Sequence, residues 1–387
     1  MKKAATLTLV LALLFSAVAG TQIVKKARAE TITVPDDYAK LQDAINAANE
    51  GDTIFVKKGT YEEQTLQITK TLSLIGEDTN NTVIKLHPPV YNVTQILTQF
   101  YAALSNAITI NADDFRLLNL TVSLNPDGYI VVTGNRTQII SNNIMGGSMT
   151  GLIISGSHCN ITDNTSGGFI STNGNANLIA RNSAYSILTD GESNIIGNNT
   201  VWYLKLSNTN NSIFFENQIG SPFRYYNELH ELARENSGIV IDGNSFNNTF
   251  FANDVAAYSY DVEMEETNSK SENNTFYHNN FLNNSRYTGI GMRTANFVNF
   301  WDNGKEGNYW EDYNGTDANG DGIGDAPYVI DADNVDRYPL MFPYEVENDT
   351  VVLPPPELFP TALVIALVVI ITVEGIGLLI YFKKRKR

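Results

Sequence analysis

A short motif recurs through the middle of the chain and restricts the folds open to it. Between residues 105 and 300, an Asn, a run of alternating apolar residues and a second Asn return repeatedly, as in NRTQIISNNI, ESNIIGNNTV and NNTFYHNNF. A unit of about 20 residues cannot bury its own apolar face, so such repeats stack into a solenoid. The closing asparagines, spaced 16 to 36 residues apart, are Asn142, Asn164, Asn182, Asn198, Asn217, Asn253 and Asn279.

The apolar runs within the repeats predict strands. They are four to six residues long, alternate with polar residues and are rich in Ile, Val, Phe and Thr. Short strands joined by Asn and Gly corners predict an all-β parallel β-helix, in which asparagines of successive coils form a ladder. The rival solenoid, the leucine-rich horseshoe, needs a Leu-x-x-Leu-x-Leu frame that the sequence lacks. Two insertions are expected, a short helix at 224–238 and an acidic loop at 261–273.

The stretch before the repeats predicts a helix followed by a strand. Asp36 and Asp37 are candidate helix caps, and Gly51 is expected to end the helix. The open end of a solenoid exposes apolar core and unpaired strand edges, so we expect this helix to cap it. The predicted buried face comprises Tyr38, Leu41, Ile45 and Ala48.

Both ends of the chain predict export and anchoring. Residues 1–29 have the charged, apolar and small-residue order of a signal peptide, with two candidate cleavage sites. Residues 361–382 are long enough to span a bilayer, and their 14 Leu, Ile, Val and Phe residues outweigh Glu374, which costs about 3 kcal/mol. The basic tail at 383–387 is expected in the cytoplasm, with a proline-containing stalk at 345–360 outside. The sequence therefore predicts a single-pass protein of the cell membrane.

The charge of the body restricts its partners. Residues 30–382 carry 16 basic against 42 acidic side chains, a net charge of −26, because the other ten Lys and Arg lie at 2–28 and 383–387. Such a surface repels nucleic acid and attracts cations. Cys159 is the single cysteine, so no internal disulfide can form. Thirteen Asn-x-Ser/Thr sequons, among them Asn119, Asn160 and Asn198, suit an exported glycoprotein.

The segment 301–344 predicts a calcium loop with an aromatic cap beside it. Oxygen ligands alternate from residue 317, Gly322 suits the sharp turn, and Tyr328 stands where a complete EF-hand has Glu. The alternative is a solvated Gly/Asp turn. Aromatic residues crowd the same segment, and we expect them to cover the last coil rather than to stack on sugars. The candidate calcium ligands are Asp317, Asn319, Asp321, the carbonyl of Ile323, Asp325, Asp331 and Asp333.

These stretches resemble a known family. LQDAINAANEGDTIFVKKGTYEE resembles the N-terminal cap of pectin-lyase-like right-handed β-helix proteins, and the Asn-rich coils resemble the NosD-type carbohydrate-binding and sugar-hydrolase repeat. The ending GNYWEDYNGTDANGDGIGDAPYVIDADNVDRYPLM resembles the tail of archaeal surface NosD-like proteins. The resemblance spans about residues 31–343. It implies a right-handed solenoid, export, and a link either to surface glycans or to copper-enzyme maturation with an ABC transporter.

The residues themselves give little support for copper binding or for catalysis. Copper needs clustered His, Cys or Met, but His87, His230 and His278 are scattered, and His158 and Cys159, as neighbours in a strand, would face opposite ways. Candidate catalytic acids adjoin Gly or Asn, which indicates corners. They are Asp190, Glu192, Glu216, Asp242 and Asp254, with Asp113 and Asp114 in a predicted turn.

The sequence therefore predicts a membrane-anchored extracellular β-helix that binds a glycan or a partner protein and is stabilised by calcium. Two alternatives stay open. One is a NosD-like component of copper-enzyme maturation, and the other is a polysaccharide lyase, hydrolase or epimerase.

Overall fold

The computed structural model describes residues 29–87, 106–124, 128–147, 150–220, 237–257, 260–264, 270–282, 291–295 and 297–346. The predicted membrane segment, the basic tail, most of the helix at 224–238 and nearly all of the signal segment and stalk lie outside these residues. Within the described ranges, no helix is both long and apolar enough to cross a membrane.

The chain forms a solenoid of short parallel strands arranged in three sheets. Most coils contribute one strand to each sheet, and these strands pair in parallel with their counterparts in the next coil. The fold is thus the predicted all-β parallel β-helix. Between successive register partners in the first sheet the chain advances by 17 to 43 residues, as from Leu178 to Ile195 and from Ser73 to Arg116.

The strands of each sheet follow the order of the coils. The first sheet contains β1 Thr31–Val34, β2 Thr53–Val56, β5 Ser73–Gly76, β8 Arg116–Leu118, β11 Gln138–Ile140, β14 Asn160–Thr162, β17 Leu178–Ala180, β19 Ile195–Gly197, β21 Ile213–Phe215, β24 Thr249–Phe251 and β27 Thr275–Tyr277. The second contains β3 Gly59–Glu63, β6 Thr82–Leu86, β9 Thr121–Leu124, β12 Asn143–Met145, β15 Thr165–Ser166, β18 Ser183–Glu192, β20 Thr200–Asn210, β22 Gln218–Gly220, β25 Asp254–Ala256, β28 Asn280–Phe281 and β30 Tyr309–Trp310.

The third sheet shares two long strands with the second, because β18 and β20 run through the corner between them. Its other strands are β4 Leu66–Ile68, β7 Asn106–Ile110, β10 Tyr129–Val132, β13 Gly151–Ile154, β16 Phe169–Thr172, β23 Ile239–Asp242, β26 Val262–Met264 and β29 Met292–Arg293. An antiparallel pair, β31 Tyr328–Val329 and β32 Val335–Asp336, follows the last coil.

Buried asparagines join the coils in the predicted ladder. The backbone N–H and the Nδ2 of Asn142 both donate to Oδ1 of Asn164, at 3.0 and 3.1 Å, and Asn164 repeats this pattern with Asn182 at 3.0 Å. Each Nδ2 also donates to a backbone carbonyl, that of Asn182 to Ile161 at 2.8 Å. The ladder members, each at most 2% exposed, are Asn142, Asn164, Asn182, Asn199, Asn217, Asn253, Asn279 and Asn308.

The choice of Asn198 as a ladder position was wrong by one residue. Asn199 occupies the ladder, while Asn198 is exposed at the corner with φ 56° and donates its Nδ2 to Glu216 at 2.5 Å. From Asn142 to Asn279, the residue before each ladder asparagine has φ between 51° and 60°, as in Glu216 and His278. Left-handed backbone turns the chain sharply there and aims the following amide inwards.

A second ladder runs along another corner of the solenoid. The backbone N–H of Asn177 donates to Oδ1 of Asn194 at 2.9 Å, and that of Asn194 donates to the hydroxyl of Ser212 at 3.0 Å. The series continues through Asn248, Asn274, Asn299 and Asn334. Where the two ladders overlap, buried side chains therefore fix two corners of each described coil.

The core consists of columns of inward side chains, one per coil. In the first sheet an Ile column gives way to stacked rings, with Phe214, Phe250, Phe276 and Trp301 at centroid distances of 4.5 to 4.6 Å. That distance is close to the spacing of paired strands, about 4.8 Å, so the rings stack as the strands do. The column ends at Trp301, the first residue of the predicted aromatic segment.

The N-terminal helix is shorter than predicted. Helix α1 spans Leu41–Ala47 and buries Leu41, Ala44 and Ile45 against the core, but Tyr38 is 37% exposed. Asp37 accepts the backbone N–H of Thr33 instead of capping the helix. The helix ends at Ala47, well before Gly51. That it caps the solenoid stays a prediction.

We predict that Asn182→Ala lowers the free energy of unfolding by about 2–4 kcal/mol, since it leaves buried backbone groups without partners and opens a cavity. Asn198→Ala is the matched control and should cost only about 1 kcal/mol, since it alters an exposed corner whose left-handed backbone disfavours Ala. Urea unfolding followed by circular dichroism measures both. Equal losses in the two variants would contradict the assignment of the ladder to Asn182.

Candidate functional site

The predicted calcium loop is an ordered turn built on Asp317. Its Oδ1 accepts the N–H groups of Gly320 and Asp321 at 2.7 and 3.2 Å, and its Oδ2 accepts that of Gly322 at 2.9 Å. Asp321 accepts the Ile323 N–H at 3.0 Å and the Asn319 amide at 3.0 Å. The carboxylate and amide oxygens that would bind a cation are thus oriented by the loop's own backbone.

Asp325 closes the same turn. Its Oδ2 accepts the Ala318 N–H at 2.9 Å and the Thr316 hydroxyl at 3.0 Å. Gly320 and Gly322 have φ of 70° and 86°, which explains the glycines in this stretch. Within the described ranges no three His, Cys, Asp or Glu side chains form a metal-holding group; the predicted site would also use the Asn319 amide and the Ile323 carbonyl.

Asp331 and Asp333 belong to a different turn. The Asp331 carboxylate accepts the Thr294 hydroxyl at 2.5 Å and the Asn334 amide at 2.9 and 3.0 Å. Asn334 in turn accepts the N–H of Asn299 at 3.0 Å, so Asp331 supports the last member of the second ladder. The hydrogen bonds described for these residues do not join them to the 317–325 loop.

Asp336 ends the first ladder. Its Oδ2 accepts the Asn308 N–H at 2.7 Å and the Trp310 indole N–H at 2.8 Å. Trp310 stacks on Phe281 at 4.5 Å and on Tyr328 at 4.2 Å. Rings from the predicted aromatic segment thus form a second stack beside the column that ends at Trp301. Sequence reasoning placed aromatics here but did not assign Asp336.

A cluster of aromatic rings lies on the outer side of the solenoid where β18 and β20 cross the corner between the second and third sheets. The half-buried rings of Tyr185 and Trp202 are 5.3 Å apart, and those of Tyr185 and Tyr203 are 5.8 Å apart and edge to face. Tyr129 of β10 and Phe169 of β16 form a further ring pair at 6.1 Å, across the intervening strand β13 of the third sheet. We call Tyr185, Trp202 and Tyr203 the ring cluster.

Charged groups adjoin the ring cluster on the same strands. Lys205 lies two residues after Tyr203 in β20 and forms an ion pair with Asp242 of β23, at 3.0 Å between Nζ and Oδ2. The Ser207 hydroxyl donates to the other Asp242 oxygen at 2.6 Å. Asp242 is the last residue of β23, and its side chain is 19% exposed and held by both contacts. It is therefore not the free corner acid that the sequence indicated.

The remaining predicted residues are spread over the solenoid. His158 lies at an exposed corner with φ 59°, so the strand placement was wrong, although it and the buried Cys159 still do not face one site. Burial raises the pKa of the Cys159 thiol to about 11. His278 pairs with Glu306 at 2.7 Å. His230 lies outside the described residues.

The predicted turn acids make corner contacts. Asp113 and Asp114 both bind Arg136, Asp114 at 2.7 Å to Nε. Glu216 is at a corner with φ 51°, and Asp254 begins β25 and accepts the Asn280 amide at 2.7 Å. The ring cluster had no signal in the sequence beyond its composition, because its members are brought together by register across coils.

Comparison with known proteins gives fold likeness at low similarity. No family model and no curated protein sequence matches the chain. A pectin methylesterase solved with a hexasaccharide is 13% identical and covers 68% of this chain and 91% of its own, with TM-score 0.36. The A-modules of mannuronan C-5 epimerases AlgE6 and AlgE4 of Azotobacter vinelandii are 14% and 15% identical, cover 69% and 70% of this chain and 87% and 95% of theirs, with TM-scores 0.33 and 0.32.

The buried carboxyl of Asp261 generates a pH prediction. Burial raises the pKa of this carboxyl from 3.8 to about 7. The backbone N–H groups of Ala257 and Gly291 donate to it at 3.0 and 3.2 Å, and these hydrogen bonds oppose the rise in pKa. Between about pH 4 and 7 the folded state therefore holds a proton that the unfolded state has lost. The free energy of unfolding falls as the pH rises through that window.

We expect Asp261→Asn to flatten the dependence of unfolding free energy on pH between 5 and 7.5, although the variant loses one acceptor and is less stable overall. Urea titrations at several pH values measure the slope. Asp333→Asn, at an exposed turn, is the control and should keep the wild-type slope. An unchanged slope in Asp261→Asn would refute the role of this carboxyl.

Proposed function

We propose that the protein is a glycan-binding β-helix of the cell surface and that the ring cluster is its binding surface. The observation that carries this proposal is the contact of Tyr185, Trp202 and Tyr203 on the outer side of two long strands, beside the Lys205–Asp242 ion pair. Three half-buried rings on a regular sheet are not needed for the core, which the inward columns fill.

The chemistry of the cluster suits a sugar. A pyranose has apolar C–H faces that pack on aromatic rings and hydroxyl edges that hydrogen-bond to charged and polar groups. The cluster offers the rings, and Lys205, Ser207 and Asp242 offer donors and acceptors two to four positions beyond Tyr203 along the strands. Because these groups stand on paired strands rather than on loops, little ordering cost opposes binding.

The proposal includes the location and the ion predicted from the sequence. An N-terminal signal and the 361–382 segment would present the solenoid outside the cell, and calcium at 317–325 would stabilise its C-terminal end. A protein partner at the surface and a role with an ABC transporter in copper-enzyme maturation are the competing proposals. Export of the body, measured by protease treatment of intact cells, tests the location they share.

Catalysis on the bound glycan is a second candidate function, favoured by two acids beside the ring cluster. Asp190 and Asp242 lie on β18 and β23, the strands on either side of β20, which places them about two strand spacings, or roughly 9.6 Å, apart. Inverting glycosidases hold their carboxyl groups about 6.5–9.5 Å apart. Release of reducing ends from a bound oligosaccharide would distinguish this function from binding alone.

We predict that Trp202→Ala weakens binding to a glycan ligand at least tenfold, since it removes a stacking ring. The measurement is a glycan array followed by calorimetry on the strongest ligand. Phe300→Ala removes a 49% exposed ring next to the first sheet and should leave affinity unchanged. Equal affinity of wild type and Trp202→Ala would remove the ring cluster from the proposal.

We further predict that millimolar calcium raises the melting temperature of the exported body and that a chelator lowers it. Binding to the folded state adds about 2.7 kcal/mol at a hundredfold excess over Kd, and extracellular sites commonly have Kd of about 0.1–1 mM. Asp321→Ala should abolish the response, while Asp190→Ala should retain it. Identical melting of the wild type in calcium and in chelator would leave 317–325 as a polar turn.

A further inference from the structure

The cations next to the ring cluster are already engaged. Lys205 pairs with Asp242 at 3.0 Å, and two strands further along the same sheet Arg293 pairs with Glu263 at 2.9 Å. Glu263 is 15% exposed and also accepts the Ser237 hydroxyl at 2.6 Å. Each positive group is thus balanced by a carboxylate held in place by a second contact.

Carboxylates outnumber cations along this face. The third-sheet strands, as the structure describes them, contain Lys205 and Arg293 as their basic residues against Asp190, Glu192, Asp242 and Glu263. Asp190 contacts the Asn208 amide at 3.5 Å. The local excess of negative charge agrees with the net charge of −26 between residues 30 and 382.

We propose that the glycan bound at the ring cluster carries no acidic groups, which places the ligand among neutral saccharides. This inference rests on the proposed function. A uronate or sulfate would have to displace a carboxylate from Lys205 or Arg293, or accept repulsion from the acids around it. Neutral hydroxyls can donate to Asp190 and Asp242 as they stand, because a carboxylate only accepts hydrogen bonds.

The experiment uses matched ligands that differ in charge alone. Oligomers of galacturonate, mannuronate and glucuronate are compared with their carboxyl-reduced neutral forms by calorimetry on the exported body. We expect at least one neutral form to bind about tenfold or more tightly than its acidic parent at 20 mM salt. The difference should shrink at 0.5 M salt, where charges are screened over a few ångströms.

Two variants test the origin of the discrimination. Asp190→Asn should raise the affinity for the acidic forms, and Asp190→Lys should raise it further, because each removes repulsion. The neutral form should lose affinity in both variants, because it loses a hydrogen-bond acceptor. An acidic oligomer that binds as tightly as its neutral form, or more tightly, overturns the inference. If that binding is lost in Trp202→Ala, the proposed glycan-binding function still stands.

Failure of the proposed function has a different signature. If no oligomer of either kind binds the wild type more tightly than Trp202→Ala, the ring cluster is not a glycan site. The inference about charge is then overturned with it.

Discussion

The buried hydrogen bond between an asparagine amide and the next coil is the interaction on which the rest of the structure depends. In the first ladder, each asparagine from Asn164 to Asn308 accepts a backbone N–H and an amide N–H from the preceding coil and donates to a backbone carbonyl, so its side-chain polar atoms are satisfied by protein partners alone. Removing one member would strand several buried groups, whereas the length of chain between members is free to vary. This explains how intervals of 17 residues, from Asn182 to Asn199, and of 36 residues, from Asn217 to Asn253, fit one ladder.

The sequence predicts the fold well because the ladder asparagines recur in it as a recognisable pattern. Asn at a fixed place beside a short alternating run indicates both the corner and the strand. The one-residue error at Asn198 has a physical origin: Asn is also favoured at the left-handed corner position, so Asn198 and Asn199 look alike in sequence. The triplet Asn-Asn-Thr at 198–200 combines a corner, a ladder member and the first residue of β20, which is also why it resembles a glycosylation sequon.

The site was harder to predict than the fold. Tyr185 and Trp202 are 17 residues apart and meet only because Ala184 pairs with Val201 across β18 and β20. The ladder has the same offset of 17 residues, from Asn182 to Asn199, so the choice of Asn198 would have paired Tyr185 with Val201 instead. The Asp-rich C-terminal stretch, predicted as one calcium loop, is divided between the 317–325 turn and the ladder ends at Asp331 and Asp336. Calcium binding stays a prediction.

The ladders have a direction. Each backbone N–H donates to a side chain of the next coil, and in the first ladder one N–H of each amide does the same, while the other donates back to a carbonyl of an earlier coil. A series of forward donors needs a final group that only accepts, and Asp336 and Asp331 are such groups. A carboxylate cannot hand the chain of hydrogen bonds to another asparagine. The solenoid therefore has a chemical stop at the C-terminal end of both ladders, where a further coil would find no side-chain donor at these two corners.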